Sequence, residues 1–139
     1  MELNDWIKKY NGKTGCQFER DKRYELYYAK EKGFCEIGDN GKMIIAKQMC
    51  GDIKYWREVM EQVGKASGRK KCGTYCVRNV LAYIRLNGFK ILRVEETEQG
   101  KRYFCEDKRT GQKGQASPAW KQKNGKRAYY ISWNIDSGD

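Results

Sequence analysis

The chain contains no histidine. That absence removes the commonest general base, every Ser-His or Cys-His dyad and the usual mixed zinc sites. Acid–base chemistry must therefore rest on Glu, Asp, Tyr, Cys, water or the substrate. Proline occurs once, at Pro118, where it is expected to start or border an edge strand. No apolar run approaches the roughly 18 residues of a membrane span. The opening Met1-Glu2-Leu3-Asn4-Asp5 is acidic and polar, unlike a signal peptide. A cytoplasmic protein with no membrane partner is expected.

What is present bounds the fold. The 139 residues make one ordinary domain, 1–139, with a core of Tyr, Trp, Phe, Val and Ile; the aromatic share is 13%. Six cysteines, at 16, 35, 50, 72, 76 and 105, are scattered without a disulfide framework, so a reduced set is expected. On a strand, Cys72, Thr74 and Cys76 share one face; small buried residues are expected there, with no metal site. The net charge is +11, and nine bases against two acids lie between Lys101 and Arg127. Such a surface attracts nucleic acid, acidic proteins or a phosphorylated cofactor.

Periodicity predicts a short helix over 4–10 capped by Asn4 or Asp5 and ended by Asn11-Gly12. Strands follow at 23–29 and 33–37, with a hairpin turn at Gly38-Asp39-Asn40-Gly41. The run 42–49 suits a central strand. Ile53, Trp56, Val59, Met60 and Val63 recur at helical spacing, which predicts a helix over 53–66 with Asp52 as N-cap. A strand at 71–77, a helix at 79–87, a hairpin of 89–95 with 101–106 and a last strand at 128–135 complete the chain. Residues 119–121 pair opposite that last strand, and the loop 108–117 is expected to be the most mobile segment. The class is α/β (α+β), a mixed, mainly antiparallel sheet flanked by helices, with a basic C-terminal β extension over about 108–139.

The segment from Lys47 to Ile53 reads as strand, glycine turn and helix start. Such a turn leaves backbone N–H groups to hold a phosphate at the positive end of the helix dipole. Gln48-Met49-Cys50-Gly51-Asp52-Ile53 is similar to the Q/R-x-x-G-x-G/A turn of the GNAT N-acetyltransferase superfamily, matching its first two defined positions and departing at Ile53. Asn79, Ala82 and Gly88-Phe89 follow in the order those proteins use. Over about residues 24–107 the chain resembles small, divergent bacteriophage GNAT-like proteins. The resemblance implies transfer of an acetyl group from acetyl-CoA to an amine substrate. It implies a cofactor site at Gln48, Cys50, Gly51, Asp52, Ile53, Lys54 and Asn79, with Lys54 or Arg57 pairing to phosphate. It implies Glu36 as the base beside the cleft and Tyr83 as the acid that protonates the leaving thiolate. From the residues alone, Glu36 is a surface carboxylate on a hairpin and Tyr83 a core residue.

A second reading makes the chain a catalytically inactive GNAT-like protein. It would bind nucleic acid, or an acidic or nucleic-acid-handling host defence protein, through cations interleaved with aromatics. Its residues are Arg102, Lys108, Arg109, Lys113, Trp120, Lys121, Lys123, Lys126 and Arg127. Aromatic faces that stack on bases, flanked by phosphate-neutralising Lys and Arg, hold single strands.

Overall fold

The computed structural model of the chain describes residues 1–135; the last four residues of the expected domain lie outside them. Three helices, α1 (Leu3–Thr14), α2 (Ile53–Ala66) and α3 (Val80–Leu86), flank a sheet of eight strands. These are β1 (Glu25–Ala29), β2 (Gly33–Asp39), β3 (Ile44–Gly51), β4 (Lys71–Cys76), β5 (Phe89–Thr97), β6 (Gly100–Asp107), β7 (Lys113–Lys121) and β8 (Arg127–Asn134). Their order is β1-β2-β3-β4-β8-β7-β6-β5. Every neighbouring pair is antiparallel except β3 with β4. The architecture is α+β with a mostly antiparallel sheet. No helix among the described residues is long and apolar enough to cross a membrane.

α2 spans its expected residues because period and cap agree. Asp52 accepts the Tyr55 amide at 3.1 Å, and Trp56 and Met60 are buried. α1 runs past Asn11-Gly12, which a short helix was expected to end on. Asn11 instead turns its side chain outward to accept the Phe18 amide at 2.7 Å. The helix stops at Gly15 in the left-handed region, φ 71°. The cap also differs: Asp5 lies inside the first turn and accepts the Glu2 amide at 3.3 Å.

Helices α2 and α3 cover one sheet face over the main core, where Cys35, Ile44, Trp56, Met60, Ile84, Phe89, Ile131 and Trp133 meet. Cys72, Thr74 and Cys76 do share that face, all buried. Burial pushes the Cys72 thiol up to about 12 and the Cys105 thiol to about 11, so both stay protonated and unreactive. All six cysteines are free. α1 packs on the other face, against Phe34 and Cys50 through Trp6.

One expectation for the C-terminal part is corrected. Residues 113–117, expected to end a mobile loop, belong to the nine-residue strand β7, whose Lys121 pairs with Arg127 of the last strand as expected for 119–121. β8 lies between β4 and β7, so this stretch supplies inner strands and closes the core with Ile131 and Trp133. It is no appendage.

Candidate functional site

β3 and β4 pair over three rungs only: Ile44 with Cys72, Ile45 with Gly73 and Ala46 with Thr74. The Thr74 hydroxyl donates to the Ala46 carbonyl at 3.2 Å, across the last rung. Beyond it each strand keeps its outer partner, β3 pairing with β2 as far as Gly51 and β4 with β8 as far as Cys76. A register shift helps to pull them apart. Between the rungs Cys35–Met49 and Ile37–Ala46, Glu36 faces both Lys47 and Gln48, which is a bulge in β3.

The gap is a cleft of about 390 Å³. It opens into a hollow of about 680 Å³ that shares Lys13, Ile53, Arg78 and Tyr83 with it. No Asp or Glu lines either space, whereas Lys13, Lys47, Arg78 and Lys126 do. Lys47 is paired to Asp21 at 2.6 Å. Lys13, Arg78 and Lys126 are exposed and have no carboxylate partner among the described residues. Electrostatically, the cleft is built for an anion.

Tyr83, expected from its helical phase to be a core residue, is half-buried and lines both spaces. Burial, with the Cys76 and Cys35 thiols adding to it, pushes its hydroxyl well above the usual tyrosine range. Hydrogen bonding with Thr74 and Asn87 offsets part of that rise. The phenol therefore stays protonated at neutral pH, as a weaker acid than a free tyrosine.

Glu36 is neither a surface carboxylate nor open to a substrate. It is fully buried, accepting Arg20 Nη1 and the Asp21 amide at 2.8 Å each and Gln48 Nε2 at 2.5 Å. Gln48, whose Nε2 also donates to the Glu19 carbonyl at 2.7 Å, ties the 19–21 segment down over the bulge. Both side chains serve the strand's shape. Arg57 is buried as well, against Asp107, Glu61 and the Asn87 carbonyl, and offers nothing to a phosphate.

The glycine turn has structural work of its own. Gly51, at φ 114°, lies so close to the β1–β2 turn that a Cβ would sit 2.0 Å from the Lys32 carbonyl oxygen. The Asp52 amide donates to that oxygen at 2.9 Å and Trp56 Nε1 at 2.8 Å. Asp52 takes the Tyr55 amide and pairs with Lys32 at 3.3 Å. These bonds hold its carboxyl below the usual range, the Tyr55 amide contributing most, against a smaller upward push from burial. Two of the turn's amides are thus already committed. Cys50 is buried toward Trp6 and Phe34, Lys54 is exposed, and Ile53 lines the cleft. Asn79 caps α3, accepting the Ala82 amide at 3.1 Å, and borders the larger hollow.

The basic stretch divides between the two ends of β7. At one end Lys113 pairs with Glu106 at 2.7 Å, and Arg109 contacts Glu58, Glu61 and Asp107; Lys108 is exposed beside them. Arg102 pairs with Glu95 at 3.6 Å. At the other end stand Trp120, Lys121, Lys123, Lys126 and Arg127, and none of these cations has a carboxylate partner among the described residues. Arg127 donates to the Ala119 carbonyl at 3.5 Å. Sequence reasoning missed Lys13, Tyr75 and Arg78, which no motif marks and which the packing of α1, strand β4 and the loop after it bring to the cleft.

The chain matches no family model, no curated protein and no solved structure. The cleft's own geometry is what bears on function.

Proposed function

We propose that the β3–β4 cleft binds acetyl-CoA and that the protein is a GNAT-like N-acetyltransferase acting on an amine. The observation that carries this reading is the parting of two parallel strands after three rungs, beside a carboxylate-free lining with cations on it. An extended acyl thioester fits such a gap, and Lys13, Arg78 and Lys126 fit its phosphates better than the crowded amides at Gly51 do. In the transfer the amine nitrogen attacks the acetyl carbonyl, the carbon–sulfur bond breaks and the amine proton leaves to water. Tyr83 gives its proton to the departing thiolate and regains one from solvent.

Titration calorimetry with acetyl-CoA tests the site. Saturable binding is expected, and the double variant Arg78→Gln with Lys126→Gln should weaken it roughly tenfold or more, the worth of a charged hydrogen bond. Absence of saturable binding at millimolar ligand sinks the proposal. Tyr83→Phe should leave affinity unchanged while slowing CoA release, with an amine present, by roughly 100-fold or more. An unchanged rate would remove Tyr83 from the mechanism.

The basic surface sustains the second reading only at the Trp120 end of β7. At the opposite end Arg109 and Lys113 already have acidic partners, and Lys108 alone has none among the described residues.

A further inference from the structure

β4 and β8 present Tyr75 and Tyr130 as a cross-strand pair, with ring centroids 5.1 Å apart. Thr74 and Cys76 point into the main core, so by strand alternation Tyr75 stands on the opposite face, the one that carries α1. Trp120 joins it there. The break in register between Pro118 and Lys121 carries its indole to 5.4 Å from the Tyr75 ring. Tyr75 is 38% exposed and Trp120 47%. Two large rings thus stand in water on a sheet surface at the cleft's rim.

Their surroundings are basic. Lys121 follows Trp120, and Lys123 lies in the β7–β8 turn with Lys126. Lys108 apart, the unneutralised cations of the basic stretch therefore fall at the same end of the sheet as the exposed rings. Tyr and Trp also anchor protein interfaces, so an acidic protein is the competing partner that the test below separates by polyglutamate. Double-helical nucleic acid keeps its base faces stacked on one another, away from any ring. Unpaired bases expose faces that stack on aromatic side chains while Lys and Arg hold the backbone.

We propose that this end of the sheet binds single-stranded nucleic acid, with bases stacked on Trp120 and Tyr75 and phosphates held by Lys121 and Lys123. The site uses residues distinct from those assigned above to acetyl-CoA phosphates and stands whether or not the cleft transfers acyl groups.

Fluorescence anisotropy with labelled U12 and dT12, against the same dT12 annealed to its complement and against polyglutamate, tests the proposal. Expected are binding of at least one single strand, weaker binding of the duplex and of polyglutamate, and quenching of tryptophan emission that Trp120→Phe reduces. Trp120→Ala should weaken single-strand binding by about tenfold, the loss of one base–aromatic stack. Lys121→Gln with Lys123→Gln should flatten the dependence of log affinity on log salt by roughly 1.4. Lys108→Gln with Lys113→Gln, at the far end of β7, should leave that slope unchanged. These side chains are exposed, and a thermal melt of each variant confirms folding. No single-strand binding, duplex or polyglutamate binding as tight, unaltered affinity in Trp120→Ala, or equal salt effects from both ends overturns the proposal.

Discussion

Arg57→Ala is expected to destabilise the protein by about 3–5 kcal/mol, the usual consequence of removing one member of a buried ion pair. The guanidinium is 3% exposed, as is Asp107. Its Nη2 donates to Asp107 and its Nη1 to the Asn87 carbonyl, while Nε reaches Glu61 at 3.0 Å. Its plane lies 4.3 Å from the Phe89 ring centroid and 5.6 Å from that of Trp133. Trp133 Nε1 donates to the same Glu61 carboxylate at 2.9 Å. Arg57 thus joins α2 to β6, β8 and the end of α3, and alanine would leave two carboxylates facing a cavity. Urea unfolding should show a midpoint drop of corresponding size; a drop under about 1 kcal/mol, the scale of a surface pair, would refute it.

The deficit should also depend on pH. Burial pushes the Asp107 carboxyl upward and is the largest single influence. The Arg109 amide, Arg57 and the remaining Arg109 charge together outweigh it, so the group ends below its ordinary value. A depressed carboxyl stabilises the fold above its unfolded pKa, and that contribution disappears as pH falls through the folded value. Without Arg57 the carboxyl rises and protonates sooner. The difference between wild type and Arg57→Ala should therefore shrink in acid; a constant difference down to about pH 3, below the ordinary aspartate value, would contradict this account.

Gly51→Ala should destabilise by roughly 2–6 kcal/mol, about 1–3 from a conformation reserved for glycine and a similar amount from overlap in a packed site. The overlap is reciprocal. A Cβ on Gly51 would lie 2.0 Å from the Lys32 carbonyl oxygen, and one on Gly33 would lie 1.9 Å from the Cys50 carbonyl oxygen. Both obstacles are backbone, so no side chain can swing aside. A lowered melting temperature without ligand is the expected signature. Wild-type melting with lost acetyl-CoA affinity would instead make Gly51 a ligand-contacting position. For the same reason a bulky residue at Gly51 is a poor probe of the cleft, whereas Arg78 and Lys126 are exposed and can be changed without disturbing the turn.

Legibility in the sequence followed the range of the interactions involved. α2 was readable because apolar spacing, the Asp52 cap and a following glycine lie within one segment. Tyr83 and Asn79 were named as site residues and do line the open spaces. Their neighbours Lys13 and Arg78, which supply the cleft's charge, carry no local signal. Only the 119–121 end of β7 was legible, because Lys113–Lys121 is polar and holds Gly114 and Pro118; the strand state of the rest is imposed by β6 and β8 on either side. Glu36 and Arg57 were misplaced for a related reason. A charged residue on a hairpin or helix reads as exposed, and nothing nearby in the sequence announces the partner that permits its burial.

By itself the sequence determined the α+β character, the absence of histidine chemistry, the helix at Ile53–Ala66 and the strongly basic charge, since each follows from composition or from spacing within about one element. Only the tertiary structure decided that β8 runs between β4 and β7, that β3 and β4 separate after Thr74, and which cations remain without carboxylate partners. Those features depend on pairings between residues far apart in the chain, such as Cys76 with Tyr129, whose register is set by how both sheet faces bury their apolar side chains.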